Sequence, residues 1–271
     1  MSRGSRMALV MLGVVLAFAP AATLHPLITH LYAAGLSNLS IELSHPRVVG
    51  FLALAGVSAL PAAGFLLSIL WTARGAGHLR ALSRASRPAR LDDLNYRLLA
   101  SDAVLVFTAG LLRPVTFVST EAERSLGRAG LRAALLHEQA HQRSRDIMWR
   151  VLLRGVGRGF AFIPRIREVV ETETLRTECE ADEYAIRGGA RRRELFEAIV
   201  AASTPATNPL AAGLTDANVE FRLIRLVHPE TPLPGHPTRS FVALTAAVAL
   251  PAAAAHLIAI AASVCTSHLM M

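Results

Sequence analysis

The sequence predicts an α-helical integral membrane protein with a mainly α, minor β domain between its membrane segments. Two observations predict it. Mean hydropathy is +0.40, and 52% of the 271 residues are hydrophobic against 18% charged, more apolar than an ordinary globular chain of this length. Three long stretches also lack charge. Met7–Leu24 has none, Val48–Ala73 has none and only Pro61 as a breaker, and Phe241–Val264 holds a single His256. Runs of that length read as membrane spans, the alternative being helices buried in a core.

Taken in order, the first run follows Arg3 and Arg6 and contains Ala17-Phe18-Ala19, so a cleaved signal peptide is an alternative to a retained helix. Pro20 just after that site argues for retention. Arg74, Arg80, Arg84, Arg87 and Arg90 follow the second run with no acid before Asp92, whereas residues 25–47 carry one arginine. The positive-inside rule then places the N-terminus and residues 74–240 in the cytoplasm of a multi-pass plasma-membrane protein. The expected organisation is a transmembrane hairpin at 1–73 (spans 7–24 and 48–73), a cytoplasmic domain at 74–240, and a membrane helix with a short tail at 241–271.

The net charge of +8 comes without a single lysine. No helix-turn-helix, finger or stacking-aromatic pattern accompanies it, so no direct nucleic-acid partner is expected. Anionic membrane lipid is the simpler partner for the Arg74–Arg90 run, which also reads as a solvated linker. With only Cys179 and Cys265, no disulfide is expected.

Within the domain, 96–100, 104–109 and 115–119 read as short strands punctuated by Gly110 and Pro114. Thr120-Glu121-Ala122-Glu123 has capping-box spacing for a short helix ending near Gly127. A helix is expected over about 131–143. Residues 147–162 follow as a helix whose Arg150, Arg154 and Arg158 form one polar stripe, suited to a membrane surface or to packing beside other helices. Pro164 breaks it. Further helices are expected over 168–187, ended by Gly188-Gly189, and over 192–202. Residues 204–208 and 229–237 read as loops.

The run His137-Glu138-Gln139-Ala140-His141 carries the chemistry. On a helix the two histidines lie one turn apart on one face and can reach one ion, while Glu138 sits about 100° around, close enough to take a proton from a water there. Chance gives this motif about 0.02 times in a chain of this composition, which favours a zinc hydrolase over two surface histidines. Zinc needs a third protein ligand. In Glu178-Cys179-Glu180-Ala181-Asp182, the residues Leu175, Glu178, Asp182 and Ala185 share a helix stripe where a core-facing helix would carry leucines. Buried carboxylates demand a cation or strong donors. Zinc on His137 and His141 would satisfy Glu178, and Asp182 could hold a ligand histidine's second nitrogen. The alternative is a solvated acidic face.

These motifs, with the segment Val106–Val118, Arg143, Arg145 and Asp146 after the histidines, and Glu220–Leu226, resemble the BlaR/MecR-type membrane zinc metallopeptidases. Those are gluzincins related to the HtpX-type and CAAX-prenyl proteases. The likeness covers roughly residues 95–230. It implies a gluzincin-like metalloprotease domain with one zinc per chain on His137, His141 and Glu178, Glu138 as general base and Asp182 as support for a ligand. It implies an endopeptidase cutting a protein or peptide, a transcriptional repressor being one candidate, with a homodimer left open. An extended substrate would pair with an edge strand, at 104–109 or 115–119. Tyr184, His228, Arg222 and Arg225 are the candidate oxyanion donors. Antibiotic-sensing members carry an extracellular penicillin-binding domain after their last membrane helix, whereas this sequence ends at Met271, so β-lactam sensing is not expected of it. An HtpX-type quality-control protease and a non-enzymatic, zinc-stabilised transducer are the alternatives.

Overall fold

A computed structural model describes residue 28 and residues 46–235, apart from 112, 145, 160–163, 204–218 and 234. In chain order its elements are α1 (Pro46–Ala85), β1 (Ser86–Leu91), β2 (Leu94–Leu99), β3 (Val106–Ala109), β4 (Val115–Ser119), α2 (Thr120–Ser125), α3 (Gly127–Ser144), α4 (Asp146–Gly159), α5 (Pro164–Arg187), α6 (Arg192–Ser203) and α7 (Val219–Val227). The chain falls into two compact units. Among the described residues, one comprises stretches of 70–151 and 171–235, and the other stretches of 46–69 and 152–170.

The first unit is built on a four-stranded mixed sheet of order β1-β2-β4-β3. β1 and β2 form a hairpin turned at Asp92, whose φ of 54° a short polar side chain tolerates. Asp92 also anchors the turn to α3, through Arg128 at 2.5 Å and Arg132 at 3.5 Å. β2 alternates, burying Leu94, Tyr96 and Leu98, as a strand with one face on a core should. β4 runs parallel to β2 and antiparallel to β3, so it is, like β2, an interior strand, and Phe117 and Val118 are fully buried. The core joins β2 and β4 to Leu131, Leu135 and Leu136 of α3, Ala185 of α5, and Leu195 and Ile199 of α6. Burial and the neighbouring Glu123 carboxylate, which accepts from the Tyr96 hydroxyl at 2.7 Å, push that hydroxyl up to about 12.

Local chemistry sets the ends of these elements. Ser119 rather than Thr120 caps α2, its hydroxyl accepting from the Ala122 N–H at 3.0 Å, while Thr120 donates to the Ser101 carbonyl. Pro164 opens α5 instead of merely ending the helix before it, as the missing N–H of a proline allows. At the other end of α5, Gly189 takes φ 94°. Gly188 lets α3 approach, since a Cβ there would lie 3.1 Å from Leu136 Cδ2.

The expected α-helical integral membrane protein is overturned. The described architecture is α/β around a mixed sheet, and among the described residues no helix is long and apolar enough to cross a membrane. The expected span at 48–73 is the first part of the 40-residue α1, which continues unbroken through Arg74, Arg80 and Arg84. Ser68, within that stretch, is buried and accepts a hydrogen bond from Arg158 at 3.3 Å. Leu66, Leu67, Leu70 and Trp71 are exposed on the same helix. With that span goes the multi-pass plasma-membrane location and the cytoplasmic placement of residues 74–240 that depended on it. The runs 7–24 and 241–264 lie outside the described residues. The Arg74–Arg90 run is not a linker: it ends α1 and supplies β1.

Candidate metal centre

Helix α3 carries His137 and His141 one turn apart, both buried. Three contacts fix the helix. Gln142 Nε2 donates to Thr116 Oγ1 of β4 at 2.6 Å, Thr108 Oγ1 of β3 reaches the Glu138 carbonyl at 3.5 Å, and Tyr184 of α5 donates to Gln139 Oε1 at 3.0 Å. On α5, the stripe of Leu175, Glu178, Asp182 and Ala185 is buried. Glu180 points elsewhere and pairs with Arg176 at 3.4 Å.

The two helices bring three donors together. His137 Nε2 and His141 Nε2 are 3.1 Å apart, His137 Nε2 is 3.4 Å from Glu178 Oε2, and His141 Nε2 is 3.7 Å from Glu178 Oε1. His137, His141 and Glu178 could hold a metal ion. The donor chemistry fits one. Asp182 Oδ1 stands 2.8 Å from His137 Nδ1, off the line of a straight hydrogen bond, and Asp146 Oδ2 stands 3.0 Å from His141 Nδ1. With a carboxylate at each Nδ1, both Nε2 lone pairs turn towards one another, an arrangement that needs a cation between them, either a proton or a metal. Ligand distances of roughly 2.0–2.1 Å on a tetrahedron would separate donor atoms by roughly 3.3 Å, in line with the observed spacings.

Two arginines complete the site. Arg222 of α7, itself buried, grips Asp182 through both oxygens at 2.8 and 2.7 Å and reaches Glu178 Oε2 at 3.0 Å. Arg150 of α4 donates to Glu178 Oε1 and lies 3.2 Å from His141 Nε2. Burial opposes the charge on Glu178, yet Arg150 and Arg222 hold it well below the usual carboxylate range. Burial likewise opposes the charge on Asp182, and Arg222 and His137 keep it low. Burial on its own would lower His137, but Asp182 and Glu178 raise it to about 9.

A cavity of about 120 Å³ opens on the donors. Glu138 lines it with both histidines, Arg150 and Glu178, beside Val106 and Thr108 of β3 and an apolar wall of Leu195, Ile199 and Val219. A second cavity, of about 210 Å³, shares Arg222 with the first and is also lined by Asp182, but by neither histidine nor Glu138.

The residues proposed as oxyanion donors from sequence fare unevenly. Tyr184 is committed to Gln139, Arg225 pairs with Glu183, and His228 is exposed beside Glu230, none of them lining the 120 Å³ cavity. Arg222 lines it but is bound to Asp182 and Glu178. Asp146 was visible only as part of a motif, without a role, and Arg150 only as one of a polar stripe. Compared with family models, curated proteins and solved structures, the chain matches none.

Proposed function

We propose that this chain is a zinc-dependent endopeptidase whose metal ligands are His137, His141 and Glu178. The observation that carries the reading is the convergence of those three donors with Glu138 on one cavity. Two imidazoles and a carboxylate are a donor set suited to a catalytic zinc, which would polarise a peptide carbonyl and make a water acidic near neutral pH.

The chain's own residues supply the rest. Glu138 takes the proton of the attacking water and returns it to the leaving amine. Asp182 and Asp146 orient the two imidazoles so that Nε2 of each faces the donor cluster. β3 binds the substrate. Among the described residues its order in the sheet leaves one side unpaired with any other strand, and Val106 and Thr108 place it beside the cavity, so an extended peptide can add to it by backbone pairing. The interior β4 cannot serve in this way. The apolar wall suits a hydrophobic side chain next to the scissile bond. The resemblance to BlaR/MecR-type peptidases supports a protein regulator as substrate.

The full-length chain, loaded with zinc and incubated with a peptide library, is expected to cleave internal bonds detectable by mass spectrometry. Glu138→Gln should retain one zinc per chain by elemental analysis and lose cleavage, because it removes the base and no ligand. Cleavage by Glu138→Gln at the parent rate would refute the assignment.

A further inference from the structure

Arg150 stands in an unusual place for a cation. Its guanidinium touches two of the three atoms that would hold the metal, donating to Glu178 Oε1 and lying 3.2 Å from His141 Nε2. Glu178 already has Arg222 on its other oxygen at 3.0 Å, so Arg150 is a second guanidinium on one carboxylate. A positive charge in contact with a ligand carboxylate weakens that carboxylate's hold on a dication in two ways. It repels the ion across a short distance in a poorly screened interior, and it occupies an oxygen lone pair that the ion would use.

Arg150 is also incompletely bonded. Its Nε is buried and has no hydrogen-bond partner, so no further bond through that atom fixes the guanidinium in place. It lines the 120 Å³ cavity, which gives the side chain somewhere to go. One turn earlier on the same helix, Asp146 steadies His141. Helix α4 thus carries one residue that supports the metal donors and another that contends for them.

Resting on the reading that His137, His141 and Glu178 bind zinc, we propose that Arg150 competes with the metal for Glu178 and lowers the site's affinity for it. Arg222 does not share this role. Its bidentate grip on Asp182 fixes it, and its effect is to place both carboxylates.

The test is a zinc titration of the full-length chain, stripped of metal, against a chromophoric chelator of known affinity. Arg150→Gln shortens the side chain and keeps a donor but removes the charge, and is expected to bind zinc roughly 10–100-fold more tightly than the parent, part of the electrostatic gain being offset by a poorer hydrogen bond to Glu178. Arg150→Lys keeps the charge and should stay close to the parent, which separates charge from shape. Equal or weaker zinc binding in a folded Arg150→Gln chain would overturn the competition and make Arg150 a support for Glu178. Tightening in Arg150→Lys equal to that in Arg150→Gln would overturn it as well. If neither the parent nor Arg150→Gln takes up zinc, while circular dichroism shows both folded, the metal reading fails and this inference with it.

Discussion

Arg222 offers the sharpest energetic test of how the site is held together. Arg222→Met keeps the aliphatic length and deletes the guanidinium that bonds Asp182 twice and Glu178 once. Arginine and both carboxylates are buried, so the loss leaves charge stranded in a poorly hydrated place. Removing one partner of a buried ion pair costs about 3–5 kcal/mol. His137 still faces Asp182 and Arg150 still holds Glu178, which puts the expectation at the lower end, about 3 kcal/mol, or somewhat more than a hundredfold in the unfolding equilibrium. The assay is denaturant unfolding of the full chain at pH 7 with chelator present, so that metal binding adds nothing. Asp182→Asn supplies the partner variant. In that background the same Arg222→Met change should cost at least about 1 kcal/mol less, because the charge it would strand is gone. A loss under about 1 kcal/mol for Arg222→Met, or a coupling indistinguishable from zero, would refute the view that this arginine is the main counterion of the carboxylate pair.

Two further outcomes follow from the geometry. Glu178→Gln should abolish stoichiometric zinc binding while Glu180→Gln leaves it intact, since Glu178 Oε atoms lie 3.4 and 3.7 Å from the histidine nitrogens and Glu180 pairs outward with Arg176; elemental analysis of the two variants decides it, and the reverse pattern would show the α5 stripe misassigned. Tyr96, raised to about 12 by burial and Glu123, favours its neutral form in the folded chain, so its stabilising share is complete below the ordinary value of 10 and disappears as pH rises towards 12. Ultraviolet titration should show one phenol ionising late that is missing from Tyr96→Phe, and no difference between the two curves would sink the assignment.

How much of this was legible in the sequence depends on the range of the signal. His137, Glu138 and His141 announce themselves because helix periodicity alone fixes their relation. Glu178 and Asp182 follow, since two acids on an otherwise apolar stripe demand a partner. The sequence reading assigns Glu178 to zinc and Asp182 to a ligand histidine, whereas Arg150 and Arg222 answer much of the demand. Nothing local could reveal this, the arginines lying 28 and 44 positions from Glu178 in the chain. β1 was missed for a different reason. Ser86–Leu91 contains two arginines and a proline, a composition that reads as linker, and it becomes a strand because it sits at the sheet edge, where charge and a missing N–H are tolerated. The membrane reading does not survive on α1, since the run 48–73 opens a helix that continues unbroken into Arg74, Arg80 and Arg84 and no described helix is long and apolar enough to cross a membrane.

The charges in the site explain why it needs all of its members. Three buried carboxylates, Asp146, Glu178 and Asp182, face two guanidiniums, Arg150 and Arg222, which leaves one negative charge for the histidines to answer. A proton on His137 answers it, and the rise of that imidazole to about 9 expresses the same imbalance. Exchange of that proton for a dication moves the balance one charge too far in the positive direction. Glu138, on the same cavity and with no carboxylate contact to either arginine among the described residues, can supply the compensating charge. The other way to restore balance is for a cation to withdraw. Arg222 is tied at Asp182 by two bonds, so Arg150, with an unpartnered Nε and open space beside it, is the member free to do so. On the proposed reading, metal uptake, Glu138 and Arg150 are coupled through one local charge balance, and a change at any of the three should be felt at the other two.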